Sequence, residues 1–109
     1  MKRLMFGTLL FFAGSLTATA QVPASGLISV AEALNARDNS LVAINATLVK
    51  PLGREKYEFQ DASGSITVEI DEDISRHIVL KNGQSVTLYG EIEREYKGIE
   101  LEADHIEIH

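Results

Sequence analysis

The 109-residue chain contains no cysteine and no tryptophan, and it has only two prolines. Without cysteine, the protein can form no disulfide, carry no cysteine-linked lipid and use no thiol chemistry. Basic residues are also scarce, since 10 lysines and arginines face 16 aspartates and glutamates, giving a formal net charge of −6. Ligands with a phosphate backbone require a basic footprint, so this composition argues against nucleic acid and anionic membrane surfaces as partners.

The longest apolar run covers residues 4–16 and follows Lys2 and Arg3. It is shorter than the roughly 20 residues that cross a bilayer. Ala18-Thr19-Ala20 comes next and has the small-x-small pattern of a cleavage site. We therefore predict a signal peptide over residues 1–20, export to a bacterial periplasm, and no membrane insertion after cleavage. An uncleaved N-terminal anchor is the alternative.

Residues 21–28 are predicted to form a flexible lead-in, and residues 29–109 the folded domain. Ser29 and Glu32 have the spacing of a capping box, in which each side chain accepts a hydrogen bond from the other residue's backbone. We expect a short helix to begin after Ser29, to end near Asp38, and to persist only by packing on a sheet.

The segment Leu52–Asp71 (LGREKYEFQDASGSITVEID) is the most informative part of the chain. Apolar and polar residues alternate on both sides of the turn Asp61-Ala62-Ser63-Gly64, which indicates a half-buried β-hairpin. A largely apolar strand over Leu41–Lys50 precedes the hairpin, and Pro51 is predicted to end it. Residues 71–80 are polar and irregular, with room for one helical turn.

Two more strands are predicted after the hairpin. In the fourth strand, over residues 86–93, Gly90 occupies an inward position, which indicates a bend or a close approach of another backbone. In the fifth strand, over residues 99–108, the apolar residues change phase after Ala103. This change predicts a β-bulge near Asp104.

These elements predict an all-β fold, namely a five-stranded OB-fold (a Greek-key barrel) with a short N-terminal helix. The side chains predicted to point into the barrel are Ile44, Ile66, Val68, Ile70, Val86, Leu88 and Leu101. Those predicted to point outward are Thr67, Glu69, Glu91 and Glu93.

Four segments resemble the bacterial OB-fold family of small exported stress-tolerance proteins, also called the BOF family. They are SVAEALNARDNSLVAINATLV, LGREKYEFQDASGSITVEID, VTLYGEIERE and IELEADHIEI. The resemblance implies a periplasmic, non-enzymatic OB barrel associated with resistance to envelope stress. One departure concerns a tryptophan that the family carries shortly after the position of Asp71. Residues 72–75 contain none, so Ile74 or His77 would have to take its place.

After residue 20, the chain has one cluster of positive charge, made by Lys50, Arg54 and Lys56 and followed directly by Tyr57. In an OB-fold, the loop between the first two strands borders the usual binding face. The cluster is therefore a candidate site in which the cations hold a carboxylate or sugar hydroxyls and the tyrosine stacks on the ligand. A solvated loop that offsets nearby acids is the alternative.

The predicted fourth and fifth strands also carry an outward row of acids: Glu91, Glu93, Glu95, Glu100, Glu102 and Asp104. Clustered charge steers association, so this row is a candidate interaction face for a basic protein. The alternative is a strand edge defended against aggregation.

No metal site or catalytic site is predicted from the sequence. Asp71-Glu72-Asp73 lacks the alternating oxygen spacing of calcium loops. His77, His105 and His109 do not have the spacing of zinc ligands. No Ser-His-Asp arrangement with an elbow turn is present, so we expect no cofactor and no enzymatic activity.

Two functions remain open from the sequence. In the first, the protein binds a small anionic or sugar-like ligand of the cell envelope near Arg54. In the second, the acidic strands bind a protein, such as a cationic envelope protein or a lysozyme-like enzyme.

Overall fold

The computed structural model describes residues 26–109. The predicted signal peptide and residues 21–25 of the lead-in lie outside the described residues. The elements in chain order are β1 (Leu27–Ile28), α1 (Val30–Leu34), β2 (Leu41–Gly53), β3 (Lys56–Asp61), β4 (Gly64–Glu69), α2 (Glu72–Ser75), β5 (Ser85–Glu95) and β6 (Gly98–Ile108).

The five long strands, β2 to β6, close into a barrel. Strand β2 pairs antiparallel with both β3 and β5, and β3 pairs antiparallel with β4. A parallel pairing of β4 with β6 and an antiparallel pairing of β6 with β5 complete the ring. The predicted five-stranded OB barrel is therefore confirmed, and its predicted first to fifth strands are β2 to β6.

The end of the predicted lead-in belongs to the sheet. Leu27 and Ile28 form β1, which pairs in parallel with Ala43 and Ile44 of β2. Ile28 is half-buried against the core. The prediction of flexibility through residue 28 is therefore wrong for these two residues, because their backbone groups pair with β2 and one side chain packs inward.

Helix α1 begins as predicted but is shorter. The capping box is present: the Glu32 backbone N–H donates to Ser29 Oγ (3.1 Å), and the Ser29 N–H donates to Glu32 Oε1 (2.9 Å). The helix ends at Leu34 rather than near Asp38. Arg94 of β5 explains the early end, because its guanidinium donates to the carbonyl oxygens of Leu34 and Ala36. These bonds hold the chain in a non-helical path.

Strand β2 continues past Pro51, so the prediction that this proline ends the strand is wrong. Pro51 pairs with Tyr57 of β3, between two register shifts in the β2–β3 ladder. Irregular ladder positions tolerate proline because they do not require its missing N–H. The hairpin turns at Arg54 and Glu55, whose φ angles of 55° and 68° match the positive φ of a two-residue turn.

The predicted barrel core is confirmed. All seven side chains predicted to point inward are buried, and the largest fully buried side chain is that of Phe59. The register of β5 and β6 passes from Tyr89–His105 to Gly90–Ala103, which leaves Asp104 as the extra residue of the predicted bulge. At Gly90, any Cβ would overlap the carbonyl oxygen of Glu102, so the predicted close approach is also confirmed.

The predicted helical turn between β4 and β5 is α2. Asp71 is its N-cap, and the Asp71 carboxylate accepts a hydrogen bond from the backbone N–H of Asp73. Ile74, Ile78 and Leu80 are half-buried against the core and cover this part of the barrel. Of the two residues considered in place of the family's tryptophan, Ile74 packs inward and His77 is exposed.

Candidate functional site

The predicted basic cluster is divided between the two faces of the sheet. Lys56 pairs with Glu69 on the outer face of β3, and its Nζ lies 2.5 Å from Glu100 Oε2. This hydrogen bond raises the pKa of Lys56 against the opposing effect of burial. Tyr57, the next residue, is half-buried against the barrel core. It therefore lies on the opposite face of β3 from Lys56, so the two side chains do not converge on one ligand.

Lys50 and Arg54 do not complete a pocket with these two residues. Lys50 is exposed on β2 and pairs with Glu58 of β3, so an acid separates it from Lys56 along the outer face. Arg54 is exposed at the tip of the β2–β3 turn. The structure thus gives the four residues three different settings: the outer face, the turn and the interior.

The acidic residues, by contrast, are brought together by strand register. Glu91 of β5 pairs with Glu102 of β6, and Glu93 pairs with Glu100. Residues directly opposite each other in a ladder point to the same face of the sheet. We call the resulting surface the acidic face, which consists of Glu69, Glu91, Glu93, Glu95, Glu100 and Glu102.

Glu69 is the member of the acidic face that sequence reasoning missed. It was predicted to point outward, but it lies on β4, some 30 positions from Glu102. The parallel β4–β6 pairing places Glu69 directly beside Glu102. Glu91, Glu102 and Glu69 therefore form one row across three strands. Only the non-local pairing of β4 with β6 could have revealed this row.

The negative charges of the acidic face repel one another. Glu93 shares a hydrogen bond with Glu102, which raises the pKa of Glu93 above its usual range. Partial burial and repulsion from Glu102, Glu95 and Glu100 raise it further. Among residues 26–109, one cation forms an ion pair with the acidic face: Lys56, which is bound to Glu100. The acidic face therefore keeps a strong excess of negative charge.

Defence of a strand edge does not account for Glu91 and Glu102. Glu91 pairs with Leu41 on one side and Glu102 on the other. Glu102 likewise has Glu91 and Glu69 as neighbours. Acidic residues that block aggregation are useful on strands with unpaired backbone groups. At these positions the backbone is paired on both sides.

A depression of about 280 Å³ adjoins the acidic face where β6 passes α2. Its carboxylates are those of Glu69, Asp71, Asp73, Glu102 and Asp104. Within the described part of the chain, no group of three or more His, Asp or Glu side chains is arranged to hold a metal ion. No helix among residues 26–109 is long and apolar enough to span a bilayer.

Comparison with known sequences agrees with the barrel. The sequence model of the family described as bacterial OB fold (BOF) protein matches residues 14–108. This chain belongs to the BOF family. It is 35% identical over 80 residues to the calcium-regulated OB-fold protein CarO of Pseudomonas aeruginosa, a match covering 73% of this chain and 69% of CarO. It is 27% identical to protein YgiW of Escherichia coli K12, covering 72% of this chain and 60% of YgiW.

Solved structures show the same fold. The structure of YgiW from E. coli superposes with a TM-score of 0.75 at 24% identity, covering 89% of this chain and all of that one. The telomere capping protein Ten1 of S. pombe gives a TM-score of 0.62 at 13% identity, covering 75% of this chain and 78% of Ten1. At these identities, the likeness concerns the architecture of the BOF barrel alone.

Proposed function

We propose that this BOF protein is an exported, non-enzymatic binding protein that engages a cationic protein through the acidic face. One observation carries the proposal: glutamates stand directly opposite one another on three adjacent strands, with Lys56 as their one neutralising partner among the described residues. A cationic envelope protein or a lysozyme-like enzyme would have the complementary charge.

Like charges directly opposite in a ladder destabilise a sheet, by up to about 1 kcal/mol per pair. The fold itself gains nothing from Glu91–Glu102 or Glu93–Glu100, since neutral residues would pair equally well. A basic partner replaces this repulsion between glutamates with attraction, because each of its cations approaches several carboxylates at once. Such a surface also accelerates association with a basic protein at low ionic strength.

The small-ligand alternative has less support. It required Lys50, Arg54, Lys56 and Tyr57 to converge on one ligand, whereas Lys56 is bound to Glu100 and Tyr57 packs inward. Binding of an anionic or sugar-like ligand at this loop stays a prediction without an assembled pocket to support it.

The absence of nucleic-acid binding is also part of the proposal. OB-folds that bind DNA or RNA combine a basic groove with aromatic side chains on which bases stack. Here the acidic face carries six glutamates, and two of the three tyrosines, Tyr57 and Tyr89, are half-buried. We expect no retention on single-stranded DNA at physiological salt. Retention on single-stranded DNA would contradict the proposal that the partner is positively charged.

Export and a role in envelope stress tolerance remain proposals that rest on the predicted signal peptide and the family resemblance. Fractionation of cells followed by N-terminal sequencing would test the first. We expect a periplasmic chain that begins at Gln21. A chain that retains residues 1–20 would instead support the uncleaved anchor.

A capture experiment tests the acidic face. The wild-type protein and the double variant Glu91→Gln/Glu102→Gln are immobilised and exposed to periplasmic extract at low and high salt. At 0.1 M salt, interactions between exposed charges more than about 10 Å apart are largely screened. Binding through the acidic face should therefore fall steeply with ionic strength. The matched control is Glu72→Gln/Glu107→Gln, which removes the same charge from exposed acids outside the acidic face.

The expected result is a basic partner that the control variant retains and the acidic-face variant loses. A partner held equally by all three proteins, or held unchanged at high salt, would contradict the proposal.

A further inference from the structure

A second depression, of about 240 Å³, lies on the outer side of β2 between β3 and β5. Its polar lining consists of Asn45, Thr47, Gln60, Asp61, Ser85 and His109. Lysine and arginine are absent from this lining. The character of the depression therefore differs from both the acidic face and the basic hairpin loop.

Strand register builds this lining. Thr47 of β2 pairs with Gln60 of β3 on one side and with Ser85 of β5 on the other. The three side chains therefore form a row of hydroxyl and amide groups across three strands. Asn45 lies two residues from Thr47 along β2, on the same face, and pairs with Thr87.

The buried Thr87 orients two of the lining groups. Its side chain is 5% exposed, and Thr87 Oγ1 donates to Asn45 Oδ1 at 2.6 Å. A hydroxyl has a single hydrogen, so Thr87 Oγ1 must accept from His109 Nε2, which lies 2.7 Å away. This relay turns the Asn45 amide donors away from Thr87 and fixes the His109 ring. Gln84 Nε2 also holds the His109 backbone carbonyl at 3.0 Å.

The Asp61 carboxylate keeps its negative charge, but its oxygens are already occupied by hydrogen bonds within the protein. They accept from the backbone N–H groups of Val30, Ser63 and Gly64. The side chains left to contact a ligand are the amides of Asn45 and Gln60 and the hydroxyls of Thr47 and Ser85. None of these four donates a side-chain hydrogen bond to another group among residues 26–109.

The chemistry of this lining selects a ligand class. Anions require only donors and cations only acceptors, whereas a ligand hydroxyl both donates and accepts. Amide and hydroxyl groups in one row supply both. The volume is below the 300–1,000 Å³ typical of sites for drug-sized ligands, so it suits a single small ring. We infer that this depression is a binding subsite for a neutral, hydroxyl-rich molecule, a sugar ring or a cyclic polyol.

This inference does not depend on the acidic face. An NMR titration of ¹⁵N-labelled protein with glucose and with inositol tests it, and glucuronate and glucosamine serve as charged counterparts. We expect saturable shifts of the Asn45, Thr47, Gln60 and Ser85 amides with at least one neutral probe, and weaker binding of the charged ones. Shifts that do not saturate at high millimolar concentration, or that lie elsewhere, would overturn the inference.

Two variants sharpen the test. Thr87→Val keeps the buried shape but removes the relay hydroxyl, and Gln60→Ala removes an exposed amide without touching the core. Gln60→Ala loses one hydrogen bond to the ligand, and Thr87→Val loses the bond that orients the Asn45 amide toward it. In each variant the dissociation constant should rise about 3- to 10-fold. Thr67→Val, on the outer face of β4, is the control and should bind as wild type. Equal affinity in Gln60→Ala and Thr67→Val would overturn the site even if Thr87→Val failed to fold.

Discussion

Asp61 and Glu93 are carboxylates on the same barrel, yet their surroundings have opposite effects. Burial disfavours the charged form of Asp61, but hydrogen bonds from Ser63, Val30 and Gly64 outweigh it and lower the Asp61 pKa. Glu93 faces other carboxylates, and its pKa is raised by the hydrogen bond it shares with Glu102 and by partial burial. Asp61 therefore supports the fold at neutral pH, whereas Glu93 opposes it.

The Asp61 surroundings explain how α1 is attached to the barrel. The first helical N–H groups have no partner within a helix. Here Asp61 Oδ2 accepts from the Val30 N–H, and Ser63 Oγ accepts from the Ala31 N–H, both at 2.9 Å. A β-hairpin turn thus caps a helix that is remote from it in sequence. Apart from the Glu100–Lys56 ion pair, the acidic face makes no comparable contact that supports the fold among the described residues, which is why we propose it as a binding surface.

The largest expected effect comes from a carboxylate with neither donors nor water. Val68 is fully buried, so Val68→Asp would place an unpaired charge in the core at a cost of several kcal/mol. Total stability is roughly 5–15 kcal/mol, and urea melts should show a largely unfolded protein. The neighbouring Glu69→Lys should change the free energy of unfolding by about 0.5 kcal/mol or less. A tolerated Val68→Asp together with an unfolded Glu69→Lys would refute the assigned register.

A smaller loss is expected when Asp61 keeps its shape but loses its charge. Asp61→Asn replaces one of the two accepting oxygens with an amide nitrogen, so at least one bond from the Val30, Ser63 and Gly64 N–H groups is lost. The free energy of unfolding should fall by about 1–2 kcal/mol at pH 7. Because the folded pKa is lowered, this stabilisation is present above the unfolded pKa of about 3.9 and is lost as pH falls through the folded pKa. The difference from wild type should therefore shrink in acid. Asp73→Asn, at an exposed acid on α2, is the control.

The smallest expected effect has the opposite sign. Glu93→Gln mimics the protonated glutamate and should raise the free energy of unfolding by about 0.5 kcal/mol at pH 7. A raised folded pKa means that stability is greatest below the unfolded pKa, about 4.3, and is lost as pH rises through the folded pKa. The gain should accordingly vanish below about pH 4. Loss of stability in Glu93→Gln at pH 7 would show that the acidic face supports the fold after all.

Much of the barrel could be predicted because its determinants are local. The capping box at Ser29 lies within four residues, and the change of apolar phase after Ala103 located the bulge at Asp104. Strand β1 was missed because two residues are too few to show a period. The extension of β2 past Pro51 was missed because the sequence does not show the irregular pairing with β3. At this position the ladder does not require a backbone N–H from β2.

The candidate sites were harder to predict because they depend on contacts between distant residues. The acids of β5 and β6 were readable from alternation, but Glu69 joins them only through the parallel β4–β6 pairing. The residues of the basic cluster are close in sequence, but neighbouring residues of β3 point to opposite faces of the sheet. Lys56 therefore lies on the outer face and Tyr57 on the inner one. The depression beside Asn45 depends on Thr87 and His109, which alternation alone does not connect.

The most direct test of the acidic face maps where a cationic protein binds. The labelled BOF protein is titrated with lysozyme, as a basic probe, at low and at physiological salt. We predict amide shifts centred on Glu91, Glu93, Glu100 and Glu102, which weaken with salt and are lost in Glu91→Gln/Glu102→Gln but kept in Glu72→Gln/Glu107→Gln. Absence of shifts, or shifts centred on the β2–β3 turn at Arg54, would contradict the account.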